Sequence, residues 1–357
     1  MNEKIKELRK RLNEIDMDGM IVSNPINIRY LTGIDSDIEG VLLITNKENI
    51  YITDARYTER INRILTIDDE INPYDFKDLD PIDYENMFMF CNNVGFEENY
   101  VTYAKYKEYK QVYKINNLLE TDGIIEAQRI IKEPDEINCI QKACKITDEC
   151  FEHICKFIKV GMTEKEIAFE IEKYFKTHGA EDVSFDTIVA SGANSSMPHA
   201  IPTDRKIEEG DPITIDFGCK YNGYCSDMTR TIFVKYVPEG IKPIYNLVLK
   251  NQKLALDAIR ENANTRILTM MVESDFKVNG FTLDHSLGHG VGLDIHERPF
   301  VAKKDYLLKE NMIITDEPGI YLPGKFGVRI EDTVLVKKDN AIRLTESNKD
   351  YIIINNE

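Results

Sequence analysis

Four acidic side chains in this sequence sit in segments whose alternation of residue types fixes the way they point. In Ile213-Thr214-Ile215-Asp216-Phe217 the apolar residues share one face of an extended strand, leaving Thr214 and Asp216 on the other. The same period of two groups Asp227 with Thr229 and Thr315 with Glu317, and it sets Arg329, Glu331 and Thr333 opposite Val328 and Ile330. Each acid thus shares its face with a threonine two residues away, whose hydroxyl is expected to hydrogen-bond and orient the carboxylate. Four carboxylates converging on one face would repel and hold each other protonated unless cations neutralised them. His289 completes the set, because Gly288, Gly290 and Gly292 free the backbone around it to approach a crowded centre. Oxygen and imidazole ligands without a thiolate suit manganese, cobalt, iron or zinc, so the predicted chemistry is that of divalent metal. A lone acid beside Gly or Thr is ordinarily a turn or surface residue; the ordered set carries the reading.

The elements that must carry these strands fall in two parts. Residues 1–124 read as a smaller α/β domain. An amphipathic helix has Ile5, Leu8, Leu12 and Ile15 on one face, and Met20-Ile21-Val22 runs into a turn at Asn24-Pro25. A hairpin follows, with arms Val41-Leu42-Leu43-Ile44-Thr45 and Ile50-Tyr51-Ile52-Thr53; then come a short strand at Asn93-Val94-Gly95-Phe96 and a Tyr-rich and Lys-rich surface helix from Thr102. Residues 125–357 open with a long helix from Glu133-Pro134-Asp135, buried along Ile137, Ile140, Cys144, Thr147, Phe151, Ile154 and Ile158 and ended by Gly161. Thr163 and Glu166 form a capping box for a second helix that reaches His178 and Gly179. Short β-runs follow Ser184, interrupted by helical sequence between about Pro243 and Lys277. The fold class is α+β, with an antiparallel sheet covered by helices in the second domain. No internal repeat is legible.

Length and composition agree. A chain of 357 residues suits two domains, and 42% hydrophobic with 30% charged residues is the balance of a soluble globular protein. The net charge of −17 repels phosphate backbones and anionic headgroups, so neither nucleic acid nor membrane is an expected partner. Matching acids near the run from Tyr100 to Tyr113 remove a nucleic-acid reading there as well. The N-terminus lacks the apolar run of a signal peptide, and seven scattered cysteines without a C-x-x-C pair fit free thiols in the cytoplasm. Cys219, Cys225, Met270 and Met271 read as packing residues, and His153 and His178 as ordinary surface or interface residues.

The blocks PHAIPTD, IDFGCKYNGYCSDMTRT, HSLGHGVGLDIHERP, DEPGIYLPG and GVRIEDT follow one another in this order. Together they resemble the pita-bread metallopeptidase family of methionine aminopeptidase, aminopeptidase P and prolidase. NIRYLTG and ITDARYTE in the first domain resemble the creatinase-type N-terminal domain of the proline-specific members, and the layout is most similar to short bacterial Xaa-Pro aminopeptidase-like proteins. The resemblance implies a curved antiparallel sheet and two divalent ions, manganese foremost, with cobalt or zinc as alternatives. It implies that Asp216 binds one ion, Asp227 and Glu331 bridge both, and His289 and Glu317 complete the second. A water shared by the ions would attack the scissile carbonyl, and Glu317 would pass its proton to the leaving amine. His199 and His296 correspond to histidines that contact substrate and stabilise the tetrahedral intermediate, His285 to a further pocket histidine, and Arg329 to an arginine that orders the carboxylates or meets substrate.

The implied reaction is removal of the N-terminal residue from peptides with proline second, by a homodimer. An X-Pro bond lacks an N–H and has a fixed φ, which general peptidases handle poorly. The alternatives are an Xaa-Pro dipeptidase and a non-catalytic binding module of the same fold. Phe300 stands near a position where prolidases often carry an arginine, which disfavours the dipeptidase, and the complete ligand set disfavours the binding module. The Met-rich segment 261–280 and Asp284 also depart from the family pattern. Asp316 replaces an aliphatic residue and faces away from the site; a basic or hydroxyl partner, or exposure, is expected to compensate it.

Overall fold

Residues 2–66 and 69–356 are described by a computed structural model, in which the chain divides into two compact units, Met1–Arg129 and Ile130–Glu357. The first is built on a six-stranded mixed sheet. Its spatial order is Asn72–Asp75, Asn49–Thr53, Val41–Thr45, Gly19–Val22, Asn93–Phe96, Asn117–Glu120. The predicted hairpin pairs antiparallel, with Leu42 opposite Tyr51 and Leu43 opposite Ile50. Two local expectations fail. The N-terminal helix stops at Glu14, so Ile5, Leu8 and Leu12 are buried while Ile15, at the cap, is 47% exposed. Asn24-Pro25 is a helix start, not a turn: Asn24 accepts the Ile26 N–H at 3.0 Å and Pro25 opens the helix Pro25–Thr32. The pair that favours a turn equally supplies a capping oxygen and a preset φ for the first helical residue.

The second unit is built twice from the same parts. In its first half, helices Pro134–Phe157 and Glu164–Thr177 cover a sheet ordered Ile353–Ile354, Met228–Val234, Pro212–Phe217, Ile188–Ser191. Cys150, Phe151, Ile154, Ile167, Ile171 and Phe175 pack on Ile213, Ile215, Phe217 and Ile232, the apolar face that alternation predicts. Full burial of such side chains stabilises the fold by about 1.5–3 kcal/mol each. In its second half, helices Lys242–Ala258 and Thr265–Val278 cover a sheet ordered Glu297–Val301, Gly288–Gly290, Ile313–Asp316, Asp332–Val336, Ala341–Arg343. There Tyr245, Val248, Val272 and Phe276 pack on Ile314, Val334 and Val336. The long first helix ends at Phe157 rather than at Gly161, whose φ of +88° belongs to the turn beyond. Met270 is exposed, not core, because it lies on the outer face of its helix.

The repetition hidden in the sequence is plain in the backbone. Thr163 bridges Lys206 just before one helix, and Asn264 bridges Leu307 just before its counterpart. Matching bonds flank both bridges: Ile207 N–H to Met162 O at 2.8 Å, and Leu308 N–H to Ala263 O at 2.9 Å. Ten residues beyond Lys206 stands Asp216; ten beyond Leu307 stands Glu317. Two of the four acids are thus the same position used twice.

Candidate metal centre

All nine residues singled out from the sequence line one cleft of about 540 Å³: Asp216, Asp227, His289, Glu317 and Glu331, with His199, His285, His296 and Arg329. Asp216 lies on Pro212–Phe217, opposite Thr229 of the neighbouring strand, and Asp227 immediately precedes Met228–Val234. Glu317 follows Ile313–Asp316, and Glu331 lies between Phe326–Arg329 and Asp332–Val336. The Glu331 N–H donates to Thr229 O at 3.1 Å, stitching the two halves together at the site.

His289 is oriented for a cation. Its Nδ1 lies 3.1 Å from Gly290 O, a contact that places the ring proton there and leaves the Nε2 lone pair facing the acids. Nε2 is 3.5 Å from Asp227 Oδ2 and 3.4 Å from Glu317 Oε1. Burial holds this imidazole below its ordinary pKa, so it is neutral and cannot itself balance the carboxylates. The glycines flanking it are required: a Cβ at Gly288 would lie 2.1 Å from Thr315 O, and one at Gly290 2.4 Å from Arg298 O.

Ligand atoms of Asp227, His289 and Glu331 lie within 4.8 Å of one another, all buried. Burial, then repulsion from Glu331 and Asp216, pushes Asp227 well above the carboxylate range; burial, then Glu317 and Asp216, does the same to Glu331. Glu317 is raised chiefly by burial. Asp216 Oδ2 accepts Arg329 Nη2 at 2.6 Å, while its buried Oδ1 has no hydrogen-bond partner among the described residues. An unmet buried acceptor costs about 1–3 kcal/mol. The lone pair, the orphan oxygen and the mutually repelling acids all fit divalent cations held by these five residues.

The threonines lie on the predicted face but mostly serve neighbours. Thr315 Oγ1 donates to Glu317 at 3.2 Å and accepts the His289 N–H at 3.0 Å, as expected. Thr229 donates to Glu331 at 2.7 Å rather than to Asp227, Thr333 to the Asp227 carbonyl at 2.7 Å rather than to Glu331, and Thr214 meets Thr231 at 3.1 Å. Residues two apart on a strand are separated by about 6.5 Å along it, whereas cross-strand neighbours have Cβ atoms about 5 Å apart. Asp316 is also resolved differently from expectation. Fully buried, it accepts only an amide, Gln252 Nε2 at 3.2 Å, among the described residues, and that same amide holds Asp332 at 3.1 Å. Burial and the nearby Asp332 push its carboxyl well up, so protonation takes the place of a basic partner.

Sequence reasoning missed Tyr321. Its hydroxyl accepts Arg329 Nη1 at 2.7 Å and meets His285 Nε2 at 3.0 Å, tying two cleft residues together. The available signal was its place on Gly319–Leu322, within the block DEPGIYLPG.

Residues 138–338 match metallopeptidase family M24, and residues 4–131 match the creatinase/prolidase N-terminal domain. The chain belongs to metallopeptidase family M24. The Xaa-Pro dipeptidase of Pyrococcus furiosus is 36% identical to it over 356 residues, covering 99% of this chain and 100% of its own. An uncharacterized peptidase of Bacillus subtilis is 34% identical, covering 98% and 100%. Among solved structures, an Xaa-Pro dipeptidase from Bacillus anthracis superposes with a TM-score of 0.93 at 36% identity, covering 98% of this chain and 99% of that one. An X-Pro aminopeptidase from Thermotoga maritima gives 0.88 at 30%, covering 97% and 100%. The expected fold class, a creatinase-type α/β domain followed by an M24 catalytic domain, stands. The M24 chain is a metal-dependent peptide hydrolase. Among the described residues no helix is long and apolar enough to cross a membrane.

Proposed function

We propose that this M24 peptidase is an Xaa-Pro aminopeptidase, releasing the N-terminal residue from peptides whose second residue is proline. The observation that carries the chemistry is the buried convergence of four carboxylates and a neutral imidazole, with one Asp216 oxygen unpartnered. Asp216, Asp227, His289, Glu317 and Glu331 are the residues to hold two divalent ions, manganese foremost, with cobalt or zinc as alternatives. Such ions supply an acidified water at neutral pH and polarise the scissile carbonyl. Glu317 carries a proton to the proline nitrogen, which leaves as a secondary amine and needs one. His199 and His296 flank the bond and hydrogen-bond the carbonyl oxygen as it gains charge. Arg329 fixes Asp216, and His285 lines the pocket beside it, through the Tyr321 hydroxyl that both meet.

The names of the similar proteins favour proline at the second position, and they support a second reading, an Xaa-Pro dipeptidase. The aminopeptidase reading is preferred because Arg329 is already committed to Asp216, Tyr321 and the Pro198 carbonyl, and half-exposed Phe300 lines the cleft. A dipeptide's carboxylate would meet an apolar wall there. All seven cysteines are free thiols, which supports the cytoplasm as the compartment, and a homodimer is the assembly proposed. The test is hydrolysis of Xaa-Pro against Xaa-Pro-Yaa-Zaa peptides by protein reconstituted with manganese or cobalt. Faster cleavage of the longer series is expected; preference for dipeptides selects the second reading, and no metal-dependent turnover of either removes both.

A further inference from the structure

Glu164 opens the helix Glu164–Thr177 but does not serve that helix. Its side chain is fully buried, turned instead to the two ends of the segment that leads from Ser191 to Thr203. Oε1 accepts the Ser191 N–H at 2.7 Å, the Ser191 hydroxyl at 2.7 Å and Asn194 Nδ2 at 3.1 Å. Oε2 accepts the Thr203 N–H at 2.9 Å, the Thr203 hydroxyl at 2.6 Å and Asn194 Nδ2 at 3.1 Å. Arg205 Nη1 donates to the Ser191 hydroxyl at 2.7 Å, so that hydroxyl has its own proton left for Glu164. Between these ends the chain carries Pro198, His199, Ala200 and Ile201 along the cleft wall. Midway, Ala200 packs on Ile188 and Ala190, and the Ser195 hydroxyl accepts the Gly327 N–H at 2.9 Å, but Met197 is 49% and Ile201 81% exposed, so the stretch bearing His199 depends on how its ends are held.

We infer that Glu164 is a positioning residue for the reaction: one carboxylate closes both ends of the segment 191–203 and thereby sets His199 in the cleft. This rests on the reading of His199 as a substrate-contacting residue. The clamp needs a carboxylate. Each oxygen faces a backbone N–H that cannot turn round, so a glutamine amide, whichever way it flips, sets an NH₂ group against a donor. Glu164 touches none of the five proposed metal-holding residues among the bonds described, so its effect is separable from theirs.

The test is Glu164→Gln in the full chain, measured in three ways. Hydrogen exchange should rise about tenfold or more in the amides of 192–202 and stay unchanged in the strands bearing the acids. Manganese affinity by calorimetry should stay within about twofold of the parent. Activity on Xaa-Pro peptides should fall about tenfold or more in kcat/KM, and Glu164→Gln combined with His199→Ala should be no worse than His199→Ala alone. Unchanged exchange in 192–202, a loss of manganese affinity equal to the loss of activity, or a loss that adds to that of His199→Ala overturns the inference. Should Glu164→Gln not fold, Thr203→Val removes one of the donors to Glu164, together with the acceptor of the Arg205 N–H, and is expected to give a smaller effect of the same sign, with the same outcomes deciding. Local exchange rising in a protein that cleaves no Xaa-Pro peptide would sink the functional reading while leaving the clamp intact.

Discussion

The two halves of the catalytic unit share a backbone and divide the labour differently. In the first, the cleft wall is an irregular segment held by the buried Glu164 carboxylate, and Ile215, next to Asp216, lies in the apolar core. In the second, the place of Glu164 is taken by Thr265, whose hydroxyl donates, among the described residues, only to the Lys304 carbonyl at 2.7 Å, and the wall is the strand Glu297–Val301, held by its ladder to Gly288–Gly290. There Asp316, not an apolar residue, precedes the acid, and it leans on Gln252. A duplicated scaffold therefore repeats where the backbone hydrogen-bonds and departs where a side chain does the holding. Backbone bonds tolerate any side chain, whereas a carboxylate clamp tolerates one.

That comparison can be broken most forcefully at the acids. Asp227→Ala and Glu331→Ala, one from each half, are both expected to lower kcat by about a thousandfold or more while still folding, with a melting temperature close to that of the chelated parent. A large loss for one and full turnover for the other would show that the halves are not joint holders of the ions. Next in size is the threonine contrast. Thr315→Val removes a hydroxyl shared by His289 and Glu317 and should weaken metal binding by about 10–100-fold, whereas Thr214→Val, which loses only Thr231, should change it little. Equal effects in calorimetry would erase the distinction.

Removing the metal sharpens the electrostatic side. Burial and mutual repulsion hold Asp227, Glu317 and Glu331 above the carboxylate range, so the folded chelated chain keeps protons that the unfolded chain releases. Their contribution is fully present below about pH 4 and is lost as pH rises through the raised values, a decline that saturating manganese should abolish. Melting temperature against pH, with and without metal, reads it directly. The smallest effect belongs to Asp316→Asn. Its carboxyl is raised in the same sense, by burial and then by Asp332, so the variant should gain on the parent as pH rises. A parallel pH profile for the two proteins would mean that Asp316 does not titrate as pH rises.

The site was more legible than the scaffold, for a physical reason. Strand alternation is a short-range rule, so Asp216 and Glu317 could be placed on polar faces from five residues of sequence each. Which neighbour each threonine serves depends on strand pairing, which brought Thr229 to Glu331 across 102 residues and which no local pattern encodes. The duplication was invisible because its equivalent positions carry different residues, Glu164 with Thr265 and Asp216 with Glu317, while the matched features are main-chain bonds. Asn24-Pro25 failed because one dipeptide serves both a turn and a helix start, and only the following residues' packing chooses.

The bond from the Glu331 N–H to Thr229 O and the one from the Thr229 hydroxyl to the Glu331 carboxylate cross the seam where the two sheets meet. A cation held by Asp227 and Glu331 would join the two halves as well as serve the reaction. Whatever draws it out loosens the join between the halves, so metal loss should register as a mechanical change in the body of the enzyme before it registers as an empty pocket.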